Sequence, residues 1–107
     1  MTTFDDRKTG HETEFAIDQN LEFKAAARRN KLLGLWAAEL MGKSEQQAQE
    51  YAKDVIVADF EEAGDDDVFR KIRGDFDTAK IEQSDHQIRR QMDELLELAR
   101  QQVREES

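Results

Sequence analysis

Apolar residues return every three to four positions along four stretches of this chain, the spacing that keeps one face of a helix dry. The first series is Phe23, Ala26, Ala27, Leu33, Trp36, Ala37 and Leu40, and Gly42 follows it as a helix cap. Ser44, with Gln47 three residues on, spells a capping box that opens a second helix. Its stripe is Ala48, Tyr51, Ala52, Val55, Ile56, Phe60 and Ala63, and Gly64 stops it. Asp65 is placed to cap a third helix, with Asp66 and Asp67 where the helix dipole favours anions. That helix carries Val68, Phe69, Ile72, Phe76 and Ala79 on its apolar face; Gly74 lies inside it, and close approach by a neighbouring helix is the ordinary reason for such a glycine. Ser84 and Gln87 repeat the capping box ahead of a fourth stripe: Ile88, Met92, Leu95, Leu96, Ala99 and Val103.

Four amphipathic helices with short connections bury their faces together as an antiparallel bundle, so the expected class is all-α, with the bundle over residues 21–107. Residues 1–20 differ. Phe4, Phe15 and Ile17 are the only large apolar groups there beyond Met1, and Thr9 and Gly10 are weak helix formers. A short isolated helix is marginal in water, so this segment is expected to be a mobile arm, at most partly helical when free.

Composition narrows the function. The 107 residues make one domain, and a net charge of −9 with 38% charged residues disfavours nucleic acid and anionic lipid as partners. A mean hydropathy of −0.90 approaches that of disordered chains, and only the helical periodicity argues otherwise. Without cysteine there is no disulfide, thiolate metal site or thiol nucleophile. The start of the chain has neither a basic nor an apolar run, and no apolar stretch approaches the ~20 residues that span a bilayer. A cytoplasmic protein, monomeric when free, is the expectation.

Candidate chemistry is sparse. Ala37-Ala38-Glu39-Leu40-Met41-Gly42-Lys43-Ser44 satisfies a relaxed phosphate-loop spelling, but that loop needs a strand before it, and these residues belong to a helical series. Three consecutive aspartates, Asp65 to Asp67, lack the alternation and glycine of a calcium loop. His11 and His86 have no partners at ligand spacing. No nucleophile is paired with a base, so an enzyme is not expected, and neither a metal nor a cofactor. An adenine nucleotide held weakly between helices is the one small ligand kept open. The basic residues Lys24, Arg28, Arg29 and Lys31 form a candidate docking face for an acidic protein surface, or else pair with acidic groups of neighbouring helices.

With these residues in view, the chain resembles the zeta subunit family of bacterial F-type ATP synthases. The most specific stretch is Phe23-Lys24-Ala25-Ala26-Ala27-Arg28-Arg29-Asn30-Lys31-Leu32-Leu33-Gly34-Leu35-Trp36-Ala37-Ala38-Glu39. Ala58-Asp59-Phe60-Glu61-Glu62-Ala63-Gly64-Asp65, Val68-Phe69-Arg70-Lys71, Ser84-Asp85-His86-Gln87-Ile88-Arg89-Arg90 and Phe4-Asp5-Asp6-Arg7 also fit. The resemblance implies a four-helix bundle whose N-terminal segment is mobile when free. That segment becomes helical on insertion at a catalytic interface of the ATPase head, among the alpha, beta and gamma subunits, and blocks ATP hydrolysis. Such a protein associates peripherally with the membrane-bound synthase. The arm positions carried over are Phe4, Asp5, Asp6, Arg7, Glu12, Phe15 and Ala16, with Phe4 and Phe15 as apolar anchors and Arg7 facing head carboxylates. Thr9-Gly10-His11 departs from the family pattern, which favours helix there. Glycine for alanine costs about 1 kcal/mol of helix formation, or roughly fivefold in affinity, so a weakly inhibitory or non-inhibitory regulator is the alternative within the family.

Overall fold

Two serines fix where two of the helices begin. In the computed structural model of the chain, the Gln47 backbone N–H donates to Ser44 Oγ at 3.2 Å while the Ser44 N–H donates to Gln47 Oε1 at 3.0 Å. Ser84 and Gln87 exchange the same pair at 2.8 and 3.1 Å. Each box satisfies N–H groups that the first helical turn leaves without partners. The structure describes the backbone of residues 3–59 and 66–106, and the side chains of residues 21–59 and 66–106. Four helices result: α1 (Thr3–Leu40), α2 (Glu45–Ala58), α3 (Asp66–Ala79) and α4 (Asp85–Glu106). The all-α bundle expected from the periodicity is what forms.

Helix ends follow from the same local chemistry. Gly42, at φ +73°, takes the left-handed turn that closes α1. Its N–H donates to Glu39 O at 3.1 Å and the Lys43 N–H reaches back to Ala38 O at 3.0 Å, the paired bonds of a Schellman cap. α3 closes the same way without a glycine. Lys80 sits at φ +59°, its N–H on Asp77 O at 3.3 Å, and the Ile81 N–H donates to Phe76 O at 2.8 Å. Ile81 then packs on the core, the apolar contact that accompanies such a cap. α2 ends at Ala58, with Asp59 as its cap, short of the expected Ala63. The β-branched run Val55-Ile56-Val57 is poor helix former, and the Asp59 N–H already bends to the Ile56 carbonyl at 3.3 Å. The Gly64 stop and the Asp65 cap lie outside the described residues. So do the side chains of the arm, and with them its expected mobility; no helix boundary separates residue 20 from the bundle.

α1 is the axis of the packing. It lies along both α2 and α4, and α3 closes the bundle against α2, α4 and α1. The larger core cluster draws on all four helices: Leu33 and Ala37, Tyr51 and Val55, Ile72 and Phe76, Ile88 and Met92 among others. Trp36 meets Phe76 edge-on, ring centroids 5.6 Å apart. A smaller cluster of Ala25, Ala99 and Val103, flanked by Leu21, Leu32 and Leu96, joins α1 to α4 alone.

The tightest approach is at Gly34. A methyl placed there would lie 2.6 Å from the Ala52 Cα, so α1 and α2 touch backbone to backbone. Close approach is absent at Gly74, where it was expected: nothing lies within 4 Å of a Cβ added there. The first apolar stripe is also revised. Phe23 is 64% exposed and Leu40 38%, while Arg29, part of the candidate docking face, and its neighbour Asn30 are each 1% exposed.

Candidate partner-binding surface

The four basic residues of α1 do not act as one face. Lys24 and Lys31 point to solvent. Arg28 is half-buried and turned to α4: Nη1 donates to Gln102 Oε1 at 2.9 Å and Nη2 to Glu106 Oε2 at 2.7 Å. Arg29 is inside the bundle, its Nε donating to Asn30 Oδ1 at 2.7 Å. A buried guanidinium needs such partners because removing it from water unpaired costs several kcal/mol, on the order of a lost ion pair. Arg29 is therefore not a docking residue, and Arg28 serves first as a strap between α1 and α4. The alternative reading, that basic residues of α1 pair with acids on neighbouring helices, holds for Arg28. Of the arm residues, Phe4, Asp5, Asp6, Arg7, Glu12, Phe15 and Ala16 have side chains outside the described ones.

Below Arg28 the same two helices are tied again. Arg100 grips Glu22, with Nε 3.0 Å from Oε1 and Nη2 3.1 Å from Oε2. Hydrogen bonding to Glu22 holds the Arg100 guanidinium above its ordinary pKa. The pair borders a cleft of about 330 Å3 with Leu21 and Arg104, at the level where the bundle gives way to the arm.

A second concavity lies at the opposite end. Tyr51 is buried, and its hydroxyl donates to Asp75 Oδ2 at 2.6 Å; Lys71 Nζ reaches the same oxygen at 3.1 Å. Burial, then the hydrogen bond to Asp75, pushes the Tyr51 phenol well above its usual pKa. Lys71 and Lys43 stand 5.1 and 5.8 Å from the Tyr51 ring centroid. With Met41 and Asp54 these groups surround a cleft of about 320 Å3. Lys43 here belongs to the phosphate-loop spelling, but Ala37 and Ala38 are core residues of α1 and Ser44 is the α2 cap, so no loop cradles an anion. The aspartate run is equally local. Asp66 pairs with Arg89 at 3.0 Å, and Asp67, buried, binds Arg70. His86 is exposed in the first turn of α4.

Comparison with known proteins decides the class. The sequence model of the family described as ATPase inhibitor subunit zeta matches residues 1–102. The chain belongs to that family. A structure determined by solution NMR matches it with a TM-score of 0.72 and 46% identity, covering 81% of this chain and 99% of that one. No curated protein matches. Membership gives this zeta-family protein the regulatory role of an ATPase inhibitor subunit. Among the described residues no helix is long and apolar enough to cross a membrane.

Sequence reading missed Gly34 and the burial of Arg29. Nothing in a single sequence marks either. The arginine sits in a run of charged residues, and one glycine in an alanine-rich helix carries no pattern of its own.

Proposed function

We propose that this protein inhibits the F-type ATP synthase by inserting its N-terminal segment into the catalytic head, where it blocks ATP hydrolysis. The observation that carries the reading is that the family match begins at residue 1 and so takes in the arm as well as the bundle. The backbone is consistent with it, because α1 runs from Thr3 through Leu40 as one element. Some 18 residues of helix ahead of Leu21 reach about 27 Å, enough to enter a deep cleft between subunits. On this reading Phe4 and Phe15 are anchors, Arg7 meets head carboxylates, and Asp5, Asp6, Glu12 and Ala16 complete the contact with the alpha, beta and gamma subunits. The protein is then peripheral to the membrane-bound synthase. The test is ATP hydrolysis by the purified head. The full chain lowers it, and a chain lacking residues 1–19 folds but does not inhibit; equal inhibition by the truncated chain rules out the wedge. Replacing Thr9 and Gly10 with alanine should strengthen inhibition if weak helix formation limits it.

One observation favours a second role beside the first. Beside Asp54 and Asp75, the cleft at Tyr51 offers Lys43, a Lys71 shared with Asp75, and an aromatic ring, groups that can meet the phosphates and base of an adenine nucleotide. Titration with ATP would then shift the amide signals of Lys43, Tyr51 and Lys71 saturably. Scattered, non-saturating shifts would remove this reading.

A further inference from the structure

Phe23 is a large aromatic side chain that no helix covers among the described residues, and the reason is geometric. Phe23 and Gly34 lie eleven residues apart on α1, which at 3.6 residues per turn sets them within about 20° of the same face. That face is the one α2 covers, through Ala52 at Gly34. From Gly34 to Phe23 α1 travels about 16 Å, whereas α2 runs only about 9 Å more from Ala52 before it ends at Ala58. The α2-facing stripe of α1 therefore continues past the end of α2, and Phe23 is left 64% exposed.

Its surroundings are cationic in an acidic molecule. Steps of four run from Phe23 through Ala27 to Lys31, about 80° round α1 and about 12 Å along it; Lys24, about 100° round from Phe23, falls within about 20° of Lys31, so the two lysines share the flank of the Phe23 face. Many other cations are engaged by carboxylates: Arg28 by Glu106, Arg73 by Asp77 and Asp85, Arg89 by Asp66, Arg90 by Glu94, and Arg100 by Glu22. On α1 itself no acidic residue lies between Glu22 and Glu39. Lys24 and Lys31 form no ion pair among the described residues, and both are exposed. On a chain of net charge −9, two exposed lysines flanking the most exposed large apolar side chain among the described residues make a local reversal of sign. Leu98, another exposed apolar residue, has Glu94, Glu97 and Glu105 at neighbouring helical positions instead.

We propose that Phe23, Lys24, Ala27 and Lys31 form a docking surface for an acidic protein face with an apolar recess, on the ATPase head beside the cleft that takes the arm. The proposal rests on the reading of the preceding subsection. Phe23 is the anchor. A rigid aromatic in a desolvated recess supplies most of the affinity, and the lysines steer it to carboxylates and reject basic surfaces. The surface lies two residues past Leu21, so a head that receives the arm brings this turn of α1 to the mouth of the cleft.

The test uses the full chain and the purified head, with binding followed by titration calorimetry and inhibition by ATP hydrolysis. Phe23→Ala should weaken binding roughly tenfold, and Lys24→Glu with Lys31→Glu should weaken it further and reduce its dependence on salt. Lys80→Glu, an exposed lysine at the far end of the bundle, should stay within about twofold of wild type. At saturating concentration Phe23→Ala should still inhibit fully, because the arm is intact. Matching thermal unfolding of the free variants shows that the bundle is undisturbed, and Lys24→Gln with Lys31→Gln serves if the glutamates disturb it. Wild-type binding by the Phe23 and lysine variants overturns the docking surface and leaves the arm reading standing. Binding without inhibition by the wild-type chain, lost in these variants, overturns the arm reading and supports the surface. Absence of any binding by the wild-type chain overturns both.

Discussion

The two ends of the bundle are built on different physics. Around Trp36, Tyr51, Phe76 and Met92 four helices enclose aromatic and branched side chains, most of them fully buried. Around Ala25, Ala99 and Val103 only α1 and α4 meet, the buried residues are small, and ion pairs at Arg28 and Arg100 do the fastening. Apolar burial is worth about 25 cal/mol per Å2, while exposed ion pairs contribute at most about 1 kcal/mol and fade in salt. The wide end is therefore the stable unit. The narrow end, where the arm begins, is the one able to loosen while the rest stays folded.

Substitutions can break or sharpen that contrast. The largest effect is expected from Phe76→Ala, which empties the centre of the wide end and should cost about 3–5 kcal/mol in denaturant unfolding. A loss below ~1 kcal/mol would mean that the aromatic cluster is not the source of stability. Gly34→Ala should cost about 2 kcal/mol, since its methyl meets the Ala52 backbone and α1 and α2 have to part. Val103→Ala at the narrow end removes two methyl groups and should cost about 1.5 kcal/mol. Native-state hydrogen exchange should show that loss confined to α4 and the adjoining part of α1.

Tyr51→Phe probes the wide end differently. The free phenol ionises near 10.0, and burial with Asp75 beside it raises the folded value above that. The folded state thus holds its proton longer than the unfolded one. The stabilisation is complete below pH 10 and is lost as pH climbs from there toward the folded value. Tyr51→Phe should cost about 1 kcal/mol at neutral pH and flatten the alkaline decline. Because Tyr51 is the chain's only tyrosine, tyrosinate absorbance reports it directly: ionisation near its ordinary value in the folded chain would contradict the burial. The smallest effect belongs to Arg100→Ala, below about 1 kcal/mol in stability and vanishing at high salt.

How much of this was legible follows from what each feature depends on. Capping boxes at Ser44 and Ser84 and the stripe from Ile88 to Val103 are local, so the sequence carries them whole. The family resemblance was legible for the same reason: long runs of unusual composition survive in one sequence. Phe23 misleads because periodicity marks a face and not how far along it the neighbouring helix extends; α2 simply ends too soon. Arg29 misleads in the opposite sense, its charge arguing for solvent although its place on α1 is interior. The candidate surface was half legible. Lys24 and Lys31 are exposed, as their charge suggests, whereas the spacing of Phe23 points to the core.

The missing side chain at Gly34 also governs how α1 and α2 can move past one another. Shifting α2 by one turn would set Ala52 against Asn30 or Ala38, each of which carries the Cβ that Gly34 lacks. Sliding is blocked in both directions by a single notch. A strain applied through the first helix has to be answered by tilting or by separation at its far end, because slippage along the seam is forbidden.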